Sequence, residues 1–130
     1  MSRRGVALPV ALLALVVAAA LATAALAAGR LRYLTGHRRL ALAEASAAAS
    51  GTVEWWRGEL SRAGWTDTLA IGRPSALSSS LPLPGRLRTR DTVVRLGPNL
   101  LLVRSTGERI DADGSILARE ELEGIIRIAP

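Results

Sequence analysis

Few side chains in this 130-residue chain are equipped for chemistry, and their spacing can be weighed against the reactions they would serve. Asp111 and Asp113, followed by Gly114, match the opening of a calcium loop, in which oxygens at alternate positions surround a hard cation. The twelfth residue from Asp111, where such a loop needs a glutamate, is Leu122. Asp111-Ala112-Asp113-Gly114 therefore reads as a hairpin turn, with Asp-Gly supplying the positive φ that tight turns require. Glu120, Glu121 and Glu123 are close enough in sequence to serve as a general acid and base, but no neighbouring group gives either carboxyl a reason for a shifted pKa. A solvated strand face accounts for them. His37 is the single histidine, set between Gly36 and Arg38-Arg39 without an acid or nucleophile beside it. No cysteine occurs, which removes thiol chemistry and cysteine-based zinc clusters. No catalytic residue, cofactor or metal is expected, and the chain does not read as an enzyme.

The most informative stretch is apolar. Val6 to Ala28 carries no charge and only Thr23 as a polar residue. As a helix it would be about 34 Å long, against a hydrocarbon core of about 30 Å. A core helix of a soluble domain would show polar residues on one face at a 3.6 period, and here only Thr23 breaks the apolar surface. Its small residues, Ala18-Ala19-Ala20, Ala22, Ala24 and Ala25, would allow close approach of other membrane helices.

Net charge is +6, which on its own would point to nucleic acid. Its location says otherwise: Arg3, Arg4, Arg30, Arg32, Arg38 and Arg39 flank the apolar run, and the remaining eleven cations balance eleven acids. Arginines beside a bilayer are attracted to anionic head groups at about 1 kcal/mol each. With no basic stripe or interleaved aromatics elsewhere, no nucleic-acid partner is expected.

Residues 29–64 continue the helix into water. Val53, Trp56, Leu60 and Ala63 form one stripe, with Glu54, Arg57 and Arg62 on other faces, and the stripe should cover a sheet. Trp56 is expected in the core and Trp55 partly exposed. Gly64 is the expected C-terminal stop, and Ser50-Gly51 the expected bend. Phenylalanine is absent, so the core must come from Leu, Ile, Val and Ala. Residues 65–85, with Gly72, Pro74, three serines, Pro82 and Pro84, read as a loop. Residues 86–130 read as an antiparallel sheet. Thr92–Leu96, a Gly97-Pro98-Asn99 turn and Leu100–Arg104 make one hairpin; Arg109-Ile110 and Ser115–Leu117 flank the Asp-Gly turn; Gly124–Ile128 is a last strand. Residues 117–123 fit helix or strand. The expected class is α+β, a long N-terminal helix packed on a small antiparallel β-meander.

Arg4-Gly5 followed by Val-Ala-Leu-Pro-Val-Ala-Leu-Leu-Ala-Leu resembles the class III leader of type IV pilins and type II secretion pseudopilins. The resemblance covers about residues 1–50. It implies a leader, residues 1–5, cut by prepilin peptidase between Gly5 and Val6, with N-methylation of Val6 and retention of 6–28 as a transmembrane helix. The family's glutamate, fifth in the mature chain, maps onto Val10. That departure is similar to PilX-type minor pilins and the K-type pseudopilin, which act at a tip or in initiating assembly. Pro9 suits a helix starting at Val6, because its missing N–H then costs nothing. The implied partners are other pilin or pseudopilin subunits, prepilin peptidase and inner-membrane lipid, with the C-terminal domain in the periplasm.

Two other readings stay open. Arg30, Arg32, Arg38 and Arg39 outnumber Arg3 and Arg4, so by the positive-inside rule a generic anchor leans toward a cytoplasmic C-terminus, a conflict that favours the alternative, a single-pass membrane-anchored periplasmic binding or adaptor module with no filament role. Ala25-Leu26-Ala27 before Ala28 offers a signal-peptidase site, although the apolar run exceeds the usual 7 to 15 residues or so.

Overall fold

Alanine and leucine are strong helix formers, and from Arg4 to Arg62 Pro9 is the only proline, so the sequence forms a single helix over that range. The structure, a computed structural model, describes residues 4–62, 64 and 67–128, with side chains from Leu8 onward. The fold is α+β: helix α1 (Arg4–Arg62) precedes strands β1 (Pro74–Leu77), β2 (Leu87–Gly97), β3 (Leu100–Ile110) and β4 (Ile116–Arg127). The strands form one antiparallel sheet in the order β1-β2-β3-β4, an up-and-down meander. By internal contacts the chain divides into two compact units, Met1–His37 and Arg38–Pro130.

In the second unit the helix buries a longer stripe than the spacing predicts. Val53, Trp56 and Leu60 are buried as expected, and Ala41, Ala45, Ala48, Ala49 and Thr52 extend the stripe backward. Ala63, its expected last member, and Trp65, the expected loop start, lie outside the described residues. Trp55 is half-buried and meets Trp56 edge-on, ring centroids 4.7 Å apart. The core beneath consists of Leu69, Val93, Leu101, Val103 and Ile126 around Val53, Trp56 and Leu60. Helical structure runs unbroken through Ser50-Gly51, the expected bend. There the Ser50 hydroxyl bonds back to the Ala47 carbonyl at 3.0 Å, and Ala48, Ala49, Thr52 and Val53 are all buried on either side of it. Packing of the stripe outweighs the roughly 1 kcal/mol by which a helical glycine is disfavoured.

Two glycines set how closely helix and sheet approach. A Cβ on Gly107 would lie 2.0 Å from the Ala45 carbonyl oxygen, and one on Gly124 would lie 2.5 Å from a Val53 methyl. Gly124 pairs with Val103, so α1 passes from Gly107 toward Val103 as it advances from Ala45 to Val53. It therefore runs opposite to β3, with its small alanines over the glycine end and Trp56 and Leu60 in the aliphatic core.

The segment 65–85, expected to be loop throughout, contains β1, which pairs with Asp91–Val94 of β2. Pro74 is its first residue and the strand lies at the sheet's edge, a place where a missing N–H is tolerated. Around it, the connection is fastened by Arg95, whose guanidinium donates to the carbonyls of Leu69 (3.1 Å), Gly97 (3.2 Å) and Pro98 (3.4 Å). Residues 117–123 are strand. Glu, Leu and Ala favour helix there, yet residues 118 to 127 alternate, even positions turned toward the helix and odd ones exposed. Pairing along nearly the whole of β3 overrides the local propensity. Asp111–Gly114 is the β3–β4 turn, with Gly114 at φ +85°.

Candidate functional site

The first unit holds the feature with the clearest functional meaning. Every described side chain from Leu8 to His37 is exposed, and the helix is long and apolar enough to cross a membrane. Leu8 is 71% exposed and Leu26 75%, so these side chains have no cover among the described residues. The hydroxyl of Thr23, the one polar side chain in the run, donates to the Ala20 carbonyl at 2.9 Å, and Thr35 donates to Leu31 at 2.8 Å. Neither leaves an unsatisfied donor for lipid to meet.

Gly5 and Val6 lie in helical backbone, and their side chains are outside the described set, as are Met1-Ser2-Arg3 altogether. The described part of helix α1 runs from Arg4, which in the unprocessed chain puts Pro9 inside the helix. The N–H that proline lacks would have met the carbonyl of Gly5. Val10 is 58% exposed on the same apolar surface.

The groups that looked capable of chemistry are occupied with structure. The Asp111 carboxylate accepts from the Ala112 N–H (2.6 Å) and the Asp113 carboxylate from the Ser115 N–H (2.8 Å), closing the turn. Hydrogen bonds from the Ser115 hydroxyl and then its backbone hold Asp113 below the ordinary aspartate range. Glu121 and Glu123 flank Arg104, at 3.1 Å and 2.5 Å, on the exposed sheet face. His37 has Tyr33 as its ring neighbour, centroids 6.2 Å apart. Among the described residues there is no group of three side chains fit to hold a metal ion.

A charged cluster that spacing does not reveal lies on the sheet face away from the helix. Glu108 is fully buried beneath arginines of both neighbouring strands. Arg88, its partner on β2, donates from Nε at 2.5 Å; Arg119, its partner on β4, donates from Nη2 at 2.5 Å and Nε at 2.9 Å. Arg90 Nε stands 3.8 Å away. Desolvation pushes the Glu108 pKa up, but the hydrogen bonds and charges of Arg88 and Arg119 together exceed it, and the carboxyl titrates below the ordinary glutamate value. A lowered folded-state pKa means the stabilisation is complete above the unfolded value and is lost as pH falls through the folded one. Glu108→Gln should therefore lower stability by about 1 to 2 kcal/mol at neutral pH, the arginines being half-exposed and screened, and should flatten the acid limb of the stability profile. Chemical denaturation between pH 7 and pH 3 checks this; an acid limb as steep as that of the unmodified chain refutes it. Arg88 and Arg90 precede the expected strand Thr92–Leu96 and give no signal in sequence; recognising the cluster requires the register of three strands.

Beside α1 in the second unit, Glu44, Ala47, Ala48, the stretch Leu81–Gly85, Leu87 and Arg109 border a cavity of about 560 Å³, and two of these residues, Glu44 and Arg109, form an ion pair at 2.9 Å. Its lining is aliphatic and proline-rich, with no nucleophile facing a base. Compared with protein-family models, curated proteins and solved structures, the chain matches none.

Proposed function

We propose that this chain is a minor pilin-like or pseudopilin-like structural subunit, held in the inner membrane and assembled into a type IV pilus or type II secretion filament through its N-terminal helix. The observation that carries the reading is an apolar helix of membrane-spanning length with no cover among the described residues, in a chain whose second unit packs helix on an antiparallel sheet. Lipid covers such a helix before assembly; afterwards neighbouring helices must, and the alanines at 18–20, 22, 24 and 25 permit the close packing this needs. Arg4-Gly5 before the run supplies the short basic leader, and removal of residues 1–5 frees Pro9 from its carbonyl conflict. Val10 in place of the family glutamate fits a minor rather than a major subunit.

The second reading, a single-pass anchor bearing an adaptor module, is favoured by one observation, the four arginines between Arg30 and Arg39 against two before the run. Intact mass of the mature chain from a host with active prepilin peptidase separates the two. A start at N-methylated Val6, abolished by Gly5→Leu, is the expected result. A chain that keeps Met1 or Ser2 supports the anchor, and one that begins at Ala28 means signal-peptide removal; either overturns the filament subunit.

A further inference from the structure

The two edges of the sheet are treated differently by the sequence. On one side β1 is four residues long and opens with a proline, both of which blunt an edge against pairing. On the other, β4 runs twelve residues without proline, about twice the mean strand length, and its only register irregularity is at its start, opposite Arg109 and Ile110. No described strand lies outside β4.

The hydrogen bonds at the ends of the ladder identify which backbone groups face outward. Ile110 N–H donates to the Arg86 carbonyl, and Ile128 N–H donates to the Asn99 carbonyl. Residues of an antiparallel strand bond alternately to one neighbour and the other, so even residues of β3 bond to β2 and odd ones to β4. By the register, the even residues of β4 from Ala118 to Ile126 are those bonded to β3. Arg119, Glu121, Glu123, Ile125 and Arg127 then direct both N–H and C=O to the open side.

Charged residues on an edge usually prevent pairing, but those on β4 are arranged to complement themselves. Reading toward the C-terminus, glutamates at 121 and 123 precede Ile125, 62% exposed, and Arg127. Among the described residues Arg127 has no ion-pair partner, whereas Arg119 is held by Glu108 and Arg104 by Glu121 and Glu123. When β4 is laid antiparallel on a copy of itself about a twofold near residues 124–125, Arg127 of each copy stands opposite Glu121 or Glu123 of the other, and Ile125 falls at the centre. Two opposite-charge cross-strand pairs result, each worth about 0.2 to 1 kcal/mol, together with a ladder of backbone bonds.

We infer that the β4 edge is a homotypic docking surface, on which a second copy of this chain adds its own β4 antiparallel to form a continuous eight-stranded sheet. This does not depend on the filament reading, since an anchored module would pair through the same edge.

The chain has no cysteine, so a single cysteine reports geometry cleanly. With Ile125→Cys in the full chain in detergent micelles, a short bis-maleimide should link two copies. Adding Arg127→Glu should reduce the linked fraction about fivefold or more by placing like charges opposite one another. Mixing that chain with one carrying Ile125→Cys, Glu121→Arg and Glu123→Arg should restore it. Glu123→Pro removes an outward N–H that β3 does not use and should also abolish linking, whereas Glu123→Gln, which keeps the N–H, should largely preserve it. Linking that is absent from the outset, that survives Arg127→Glu, or that is equally efficient from Ala76→Cys on the β1 edge overturns the proposal. If Glu123→Pro unfolds the sheet, the Arg127→Glu loss and its restoration in the mixture still decide.

Discussion

Trp56→Ala should remove about 3 to 5 kcal/mol of stability from the helix–sheet unit, enough to leave much of the population unfolded near physiological temperature. Among the described residues Trp56 is the largest fully buried side chain, and its surroundings explain why the loss cannot be made good. The chain has no phenylalanine, and the buried residues around the indole are Val53, Leu60, Leu69, Val93, Leu101, Val103 and Ile126. None of these aliphatic side chains has the volume to fill the space the ring leaves, so most of it remains a cavity. Thermal melts of the full chain in micelles, followed by the circular dichroism of the sheet, should show a midpoint lowered by at least about 12 °C, at about 4 °C per kcal/mol for a unit of this size. Trp55→Ala, next in sequence but only half-buried, should shift it much less. An unchanged midpoint in Trp56→Ala refutes the packing of the stripe on the sheet.

That stripe was legible in the sequence because Val53, Trp56 and Leu60 are large enough to mark one helix face by themselves. Its extension through Ala41, Ala45, Ala48 and Ala49 was not, since alanine is as common on an exposed helix as on a buried one, and here only the glycines of the sheet distinguish the two. Likewise the Asp-Gly turn and the Gly97-Pro98-Asn99 turn announce their hairpins, whereas β1 is hidden behind the proline that begins it. Residues 117–123 carry helix-forming side chains on a strand alternation, and the choice is made by pairing with β3, a contact that no window of β4 contains. The Glu108 cluster is illegible for the same reason: Arg88, Glu108 and Arg119 lie far apart in sequence and become adjacent only through two registers. The apolar helix, by contrast, is local in every respect, its length and uniform surface being properties of a single uninterrupted run.

Gly107→Ala should be nearly as damaging as the loss of Trp56, though it adds only a methyl group. Small-to-large changes in a packed core cost typically about 1 to 3 kcal/mol when side chains can shift to make room. Here the obstacle is main chain: the new Cβ would sit 2.0 Å from the Ala45 carbonyl oxygen and 3.0 Å from both the Ala45 carbonyl carbon and the Ala49 nitrogen. No rotamer change moves those atoms, so α1 must lift away from β3. Lifting it opens the contacts of Ala41, Ala45, Ala48, Ala49 and Thr52, all of which are buried along the same line. The expected loss is therefore at or above about 3 kcal/mol, read as a midpoint lowered by about 12 °C or more in the same melts. Gly124 provides the control, because its Cβ would meet a Val53 methyl at 2.5 Å, the end of a side chain rather than backbone. Gly124→Ala should be relieved in part by Val53→Ala, giving a favourable coupling in a double-mutant cycle. Gly107→Ala should show no such relief with Ala45→Gly, since that change removes a methyl group and leaves the carbonyl where it was. A melt unchanged by Gly107→Ala, or fully restored by Ala45→Gly, would mean that the helix does not rest on the sheet at this glycine.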